Sequence, residues 1–224
     1  MSRRQSGPSG AAGPPVVACL LFGSGGCALV YQVAWLRLLR LVFGGTTAAS
    51  AAVLAIFLGG LGFGGLVLGR RADRTDRPLR LYAALELGVA VAAAASPLLV
   101  MLVRHLYIAL GGVQALGMPL ARALRLALAA VVLGVPTFLM GGTLPAAVRA
   151  VEVEDDAARR TTGFLYGANS TGAVLGTLWA TFVALEWLGT NATVWSAAVM
   201  NAVVGLAALA LSKGAVAVRR EAPP

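Results

Sequence analysis

The sequence predicts an all-α membrane protein with six transmembrane helices. Three observations carry this. The chain is 58% hydrophobic and only 12% charged, with a mean hydropathy of +0.82, whereas soluble domains hold roughly 25% charged residues. Its apolar residues gather into six stretches, each long enough to cross the ~30 Å hydrocarbon core as a helix. Its arginines cluster between those stretches, and short arginine-rich loops resist translocation.

Taken in order, residues 1–13 form a Ser/Gly/Pro-rich tail with Arg3 and Arg4, disordered by composition. The first span, Pro14–Leu36, opens on two prolines, whose missing amide hydrogens cost nothing in a first turn. It ends at Tyr31, Trp35 and Arg37, an aromatic and cationic boundary typical of the membrane interface. The second span, Thr46–Gly69, carries no charge and makes a helix of about 36 Å. It stops at a loop holding Arg70, Arg71, Asp73, Arg74, Asp76, Arg77 and Arg80. The third span, Leu81–Val103, contains one carboxylate, Glu86. Between Arg104 and Arg125, Gly111-Gly112 and Met118-Pro119 interrupt helical periodicity, which predicts an outer loop with a short interfacial helix.

The fourth span, Leu126–Val148, contains Pro136, Gly141, Gly142 and Pro145, a pattern that predicts a kinked or interrupted helix and a cavity wall. A second charged loop, Arg149–Arg160, holds Glu152, Glu154, Asp155 and Asp156. The fifth span, Thr161–Leu185, has glycines at 163, 167, 172 and 176 together with Asn169. The sixth, Trp187–Ser212, has Asn201 near its middle, and residues 213–224 form a basic tail.

Several function classes are excluded by context. The net charge of +9 would suggest nucleic acid in a soluble protein, but here the arginines bracket apolar spans and act as topology signals. Gly60–Gly65 spells G-x-G-x-x-G, yet a dinucleotide site needs a preceding strand and a βαβ unit. Gly60 and Gly64, and likewise Gly172 and Gly176, instead have the spacing of helix-packing faces. Cys19 and Cys27 are about 12 Å apart along one helix, too far for a disulfide. His105 has no partners at metal-ligand spacing. No nucleophile and base pair, metal cluster or phosphate loop is present, so neither catalysis nor a cofactor is expected of this chain.

Six spans place both termini on one side. Of the 18 Lys and Arg residues, all but Arg37, Arg40, Arg104, Arg122 and Arg125 fall in the segments that share a side with the termini. This predicts both termini inside. Two sets of three spans also match the 3+3 arrangement of a six-helix half of a major facilitator transporter.

Four blocks carry a family resemblance: Ser24–Arg37, Gly69–Arg74, Pro136–Pro145 and Gly163–Gly176. In order and spacing they resemble the membrane half of bacterial fused major facilitator and spermidine synthase proteins. Gly69, Asp73, Arg74 and Arg77 are also similar to the loop signature of major facilitator transporters, with Asp76 where that family has glycine. That resemblance implies a conformational latch at this loop. Gln32 stands where relatives of the fused family usually have glutamate. The soluble aminopropyltransferase domain has no counterpart here.

The resemblance implies an inner-membrane module of a spermidine-synthase-like system. Such a module would anchor or serve a separate aminopropyltransferase and move polyamine or another small cation. Two alternatives stand beside it: a half-size homodimeric transporter, and a structural subunit of a larger membrane complex. The expected substrate or cation path is Glu86, Gln32, Asn169 and Asn201, because ionisable and amide groups at membrane depth are expensive and commonly mark such paths. The competing reading pairs Glu86 with Arg80 near the end of its span and uses the asparagines as bonds between helices.

Overall fold

The computed structural model describes residues 13–151 and 156–221. Among these no strand occurs. The chain forms α1 (Pro14–Phe43), α2 (Thr47–Asp73), α3 (Pro78–Ala109), α4 (Gly112–Gly141), α5 (Thr143–Ala150) and α6 (Asp156–Trp179). A π-helical turn (Ala180–Ala184) then leads through α7 (Leu185–Trp187) to α8 (Gly189–Glu221). Six segments are long and apolar enough to cross a membrane: Pro14–Arg40, Thr47–Asp73, Pro78–Ala109, Gly112–Ala150, Arg159–Trp187 and Gly189–Lys213. The tail expected at residues 1–13 lies outside the described residues except for Gly13, as do Glu152, Glu154 and Asp155. At the other end α8 continues past Ser212 to Glu221.

Local chemistry explains the helix starts. Pro14 and Pro78 each occupy a first turn, where the amide needs no partner. The Thr46 hydroxyl accepts the Ala49 amide at 3.2 Å and caps α2, satisfying one of its free amide donors.

The segment expected as an outer loop, Arg104–Arg125, is almost entirely helical. α3 runs on to Ala109, and the chain reverses through Gly111 in the left-handed region at φ 78°, a conformation glycine adopts without steric cost. Gly112 also has a positive φ, 55°, and within α4 Gly117 departs from helical geometry, at φ 70°, two residues before Pro119. The two helices are tied near this end by Arg125, whose Nε and Nη2 donate to the Tyr107 hydroxyl at 3.0 and 2.7 Å. The glycines do break the helix, but as a tight turn.

In the fourth span the chain passes through Pro136 without interruption and breaks at Gly142. Pro145 thereby falls in the first turn of α5, where it removes no hydrogen bond. A third interior proline, Pro97 of α3, cannot bond the Ala93 carbonyl four residues back. The Ser96 hydroxyl does so at 2.7 Å, which is how hydroxyls satisfy carbonyls freed in a membrane helix.

The packing has an internal exchange symmetry. α1 packs chiefly on α6, α2 on α4 and α3 on α8, with α3 on α4 and α1 on α8 next. Replacing each span of the first triplet by its counterpart in the second returns the same set of pairs. The closest contacts repeat as well. A Cβ on Gly25 would overlap the Asn169 carbonyl oxygen, and one on Gly172 would overlap that of Phe22. In the other pair, a Cβ on Gly141 would overlap the Leu61 carbonyl oxygen, and one on Gly64 that of Phe138. Phe22-x-x-Gly25-Gly26 and Phe138-x-x-Gly141-Gly142 are therefore one motif used twice. Gly60 lies on Thr137 and Gly176 on Gly26, whereas Gly163 and Gly167 face open space.

Helix backbones approach this closely only where side chains are absent. Gly64→Ala should push α2 from α4 and lower the melting temperature in detergent, with a cost of about 1–3 kcal/mol. Gly62→Ala, at a position with nothing within 4 Å, should be neutral or stabilising through helix propensity of up to ~1 kcal/mol. Equal melting temperatures for the two variants would contradict this account of the interface.

Candidate functional site

Glu86 is 1% exposed, in a bundle whose surroundings are otherwise apolar. A carboxylate in such a place must be given donors by the protein, since an uncompensated buried charge costs several kcal/mol. Two helices supply them. The Ser24 hydroxyl of α1 donates to Oε1 at 2.6 Å. Asn201 Nδ2 of α8 donates to Oε2 at 2.8 Å and to the Glu86 main-chain oxygen at 2.7 Å. Both targets of Nδ2 are acceptors, which fixes the amide orientation.

The sequence places these groups by helix periodicity. Ser24, Cys27 and Tyr31 recur three and four residues apart, which sets them on one stripe of α1. Tyr82 and Glu86 are four apart on α3. Asn201 is at the midpoint of the Gly189–Lys213 span, whereas Glu86 is about two turns inside the Pro78–Ala109 span from its arginine-loop end. Gly205, with its missing side chain, lets α8 approach Glu86 and Leu87.

Two further hydroxyls belong to this centre. Tyr82 adjoins Glu86 and Ser24, and Tyr31 is within electrostatic reach of Glu86 and Cys27. Both side chains are fully buried; neither hydroxyl makes a hydrogen bond of full geometry, although that of Tyr82 is near enough to Glu86 and Ser24 to interact with both. Among the described residues they are the two buried side-chain polar atoms left without such a bond. An unmade bond of this kind costs roughly 1–3 kcal/mol, so their convergence on a single carboxylate is informative. Further along α1, Tyr31 stacks on Trp35 with ring centroids 5.3 Å apart. Trp35 Nε1 donates to Ser96 Oγ at 2.7 Å.

Of the expected path residues, the structure joins Glu86 and Asn201. Gln32 is half-buried on a different face of α1. Asn169 is half-buried on α6 with its main-chain oxygen against Gly25, on the other side of α1 from the carboxylate. Arg80 is exposed, and the partners of Glu86 are Ser24 and Asn201 instead. In the loop, Asp73 closes α2, Arg74 follows it and Arg77 precedes α3, all exposed; Gly69 lies inside α2 near Pro145. The cavity expected along the fourth span is a shallow groove of about 540 Å³ between α2 and α4, lined by Gly59, Gly60, Phe63, Gly134 and Phe138 among others. Its lining offers no charge or amide for orienting a ligand. Ser24 and Tyr82 join the site without a mark in the sequence beyond helical spacing, and Tyr31, expected with Trp35 at the membrane boundary, is fully buried inside a helix that continues to Phe43.

No family model, curated protein or solved structure matches the chain. The site therefore rests on its own geometry.

Removing one donor should expose how these groups depend on each other. Asn201→Leu should cost about 1–3 kcal/mol by leaving a buried acceptor short of a donor. Adding Glu86→Leu should recover part of that loss, because an apolar replacement of the whole arrangement is often neutral. A double-mutant cycle on detergent melts should give a coupling of at least ~0.5 kcal/mol; strict additivity would show that the two residues do not act together.

Proposed function

We propose that this chain is a transport module of the bacterial inner membrane in which Glu86 holds a proton or another small cation. The observation that carries the proposal is a fully buried carboxylate about two turns inside α3, held by hydroxyl and amide donors from two other helices rather than by an arginine or lysine. Intramembrane carboxylates are expensive and usually mark ion or proton pathways. The exchange symmetry of the helix pairs supports a 3+3 inverted repeat, the arrangement of a six-helix half of a major facilitator transporter. The bias of lysine and arginine supports both termini being cytoplasmic. Such a half works against a second half, which a second copy of the chain would provide.

The family resemblance extends the proposal. The module would serve a separately encoded aminopropyltransferase, with a polyamine or related amine as cargo. The blocks Ser24–Arg37 and Gly163–Gly176 that carry the resemblance include the donor to Glu86 and the glycines of the α1/α6 contact, which accounts for their joint appearance.

The test is uptake of labelled putrescine and spermidine into proteoliposomes under an imposed pH gradient. Glu86→Gln should reduce uptake at least tenfold with normal insertion and melting, and wild-type uptake by this variant would end the proposal. Reporter fusions at either terminus should be active on the cytoplasmic side; activity confined to the periplasm would invert the topology.

A further inference from the structure

The groups around Glu86 narrow its ligand further. A metal cation is bound by oxygen lone pairs at short distances, but the groups nearest this carboxylate present hydrogens. Ser24 Oγ–H occupies Oε1 and Asn201 Nδ2–H occupies Oε2. The groove between α2 and α4 lies on other helices. What this centre can accept without rebuilding is a proton.

The hydrogen-bond inventory also says where the proton goes. Asn201 Nδ2 can only donate, so Oε2 has to remain an acceptor in both charge states. Ser24 can donate or accept. When Oε1 carries a proton, the serine hydroxyl turns and receives a hydrogen bond from it. Tyr82 and Tyr31 have the same double capacity, and among the described residues their buried hydroxyls are the two without a hydrogen bond of full geometry. Along the bundle they bracket the carboxylate: Tyr82 is one turn from Glu86 towards the arginine loop, and Tyr31 is about two turns beyond Ser24 towards the opposite face.

We propose that Glu86 Oε1 is a proton-binding site loaded and unloaded through Ser24 and the Tyr82 and Tyr31 hydroxyls, Tyr82 serving the arginine-loop side and Tyr31 the other. The inference rests on Glu86 being the ion site and identifies the ion. On loading, hydronium in the aqueous phase gives a proton to the relay. Within one concerted shift the Ser24 O–H bond breaks as an O–H bond forms on Oε1, the serine oxygen takes the tyrosine hydrogen, and the tyrosine oxygen takes the proton given up by hydronium, which leaves water. Water remains outside, and no tyrosinate accumulates. Unloading is the reverse on the other side. The titratable groups interacting with Glu86 are Cys27 and Tyr31 of α1 and Tyr82 of α3. α8 contributes Asn201, and the titratable side chains of α4 and α5 are Arg122, Arg125 and Arg149, towards the ends of their span.

The experiment is infrared difference spectroscopy of the full chain in proteoliposomes during a pH titration, read at the carbonyl stretch of a protonated carboxylic acid. The wild type should show one such band that titrates, exchanges in D2O and disappears in Glu86→Gln. Glu86→Asp keeps the acid and moves the band, which assigns it if the glutamine variant does not fold. Tyr82→Phe and Tyr31→Phe should retain the band and melt no lower than the wild type while slowing its exchange at least tenfold. Ser24→Ala should shift its frequency, because the group receiving the acid hydrogen has gone. Replacing sodium by choline should change nothing. The proposal is overturned if no titrating band belongs to Glu86, if both phenylalanine variants exchange at the wild-type rate, or if sodium competes with the proton. Glu86-dependent amine uptake without tyrosine dependence would leave the transport module standing and remove the relay. Tyrosine-dependent exchange without Glu86-dependent uptake would do the reverse.

Discussion

In hydrocarbon no solvent completes an unfinished hydrogen bond, and the organisation of this bundle follows from that constraint. A carbonyl freed by a proline and a buried carboxylate are both met from within the protein. Ser96 takes the carbonyl released by Pro97, and Glu86 draws donors from two neighbouring helices. The cost of an unsatisfied group at such depth is several kcal/mol. Against that background the hydroxyls of Tyr31 and Tyr82 stand out, as the two buried side-chain polar atoms without a hydrogen bond of full geometry among the described residues.

Glycine makes the satisfaction possible. For Ser24 to reach α3 while the residue beside it packs on α6, α1 must be thin at that point, and Gly23, Gly25 and Gly26 flank the serine. The second triplet repeats the arrangement with Gly141 and Gly142 against α2. The repeated Phe-x-x-Gly-Gly motif thus sets the helix separation rather than any ligand geometry. Its role is comparable to that of small-xxx-small pairs, which replace the missing hydrophobic driving force between membrane helices with backbone contact.

The six spans could be read from the sequence because hydropathy over 20 residues is a strong signal and because charge interrupts it cleanly. Turn geometry was much less legible. Gly111, Gly112 and Gly117 indicate a break, but the same letters serve a loop and a tight helical reversal, and only the partnership of Tyr107 with Arg125 decides for the reversal. The π-helical turn at Ala180–Ala184 has no compositional mark. For the site, a carboxylate inside a span announces itself, and Asn201 nearly so. Which face each residue takes is harder, since lipid and core are equally apolar and a membrane helix carries little amphipathic phase. Glu86 with Asn201 and Gln32 with Asn169 therefore looked alike on paper. Serine and tyrosine in a span are cheap enough to pass without notice.

The repeated motif and the carboxylate share one level of the bundle. Ser24 touches Glu86 and neighbours Gly25, which meets α6. On the other side, Gly142 lies against Leu85 and Gly88 against Leu139. Where backbones come closest, the least room remains for water, and the local dielectric is lowest. Electrostatic interactions are strongest there, by a factor set by the ratio of protein to water permittivity. A charge placed at that level is felt most by its donors and is best isolated from both aqueous faces. Placing the same glutamate a turn nearer the arginine loop would let water and Arg80 compete for it, and the donors from α1 and α8 would have little left to hold.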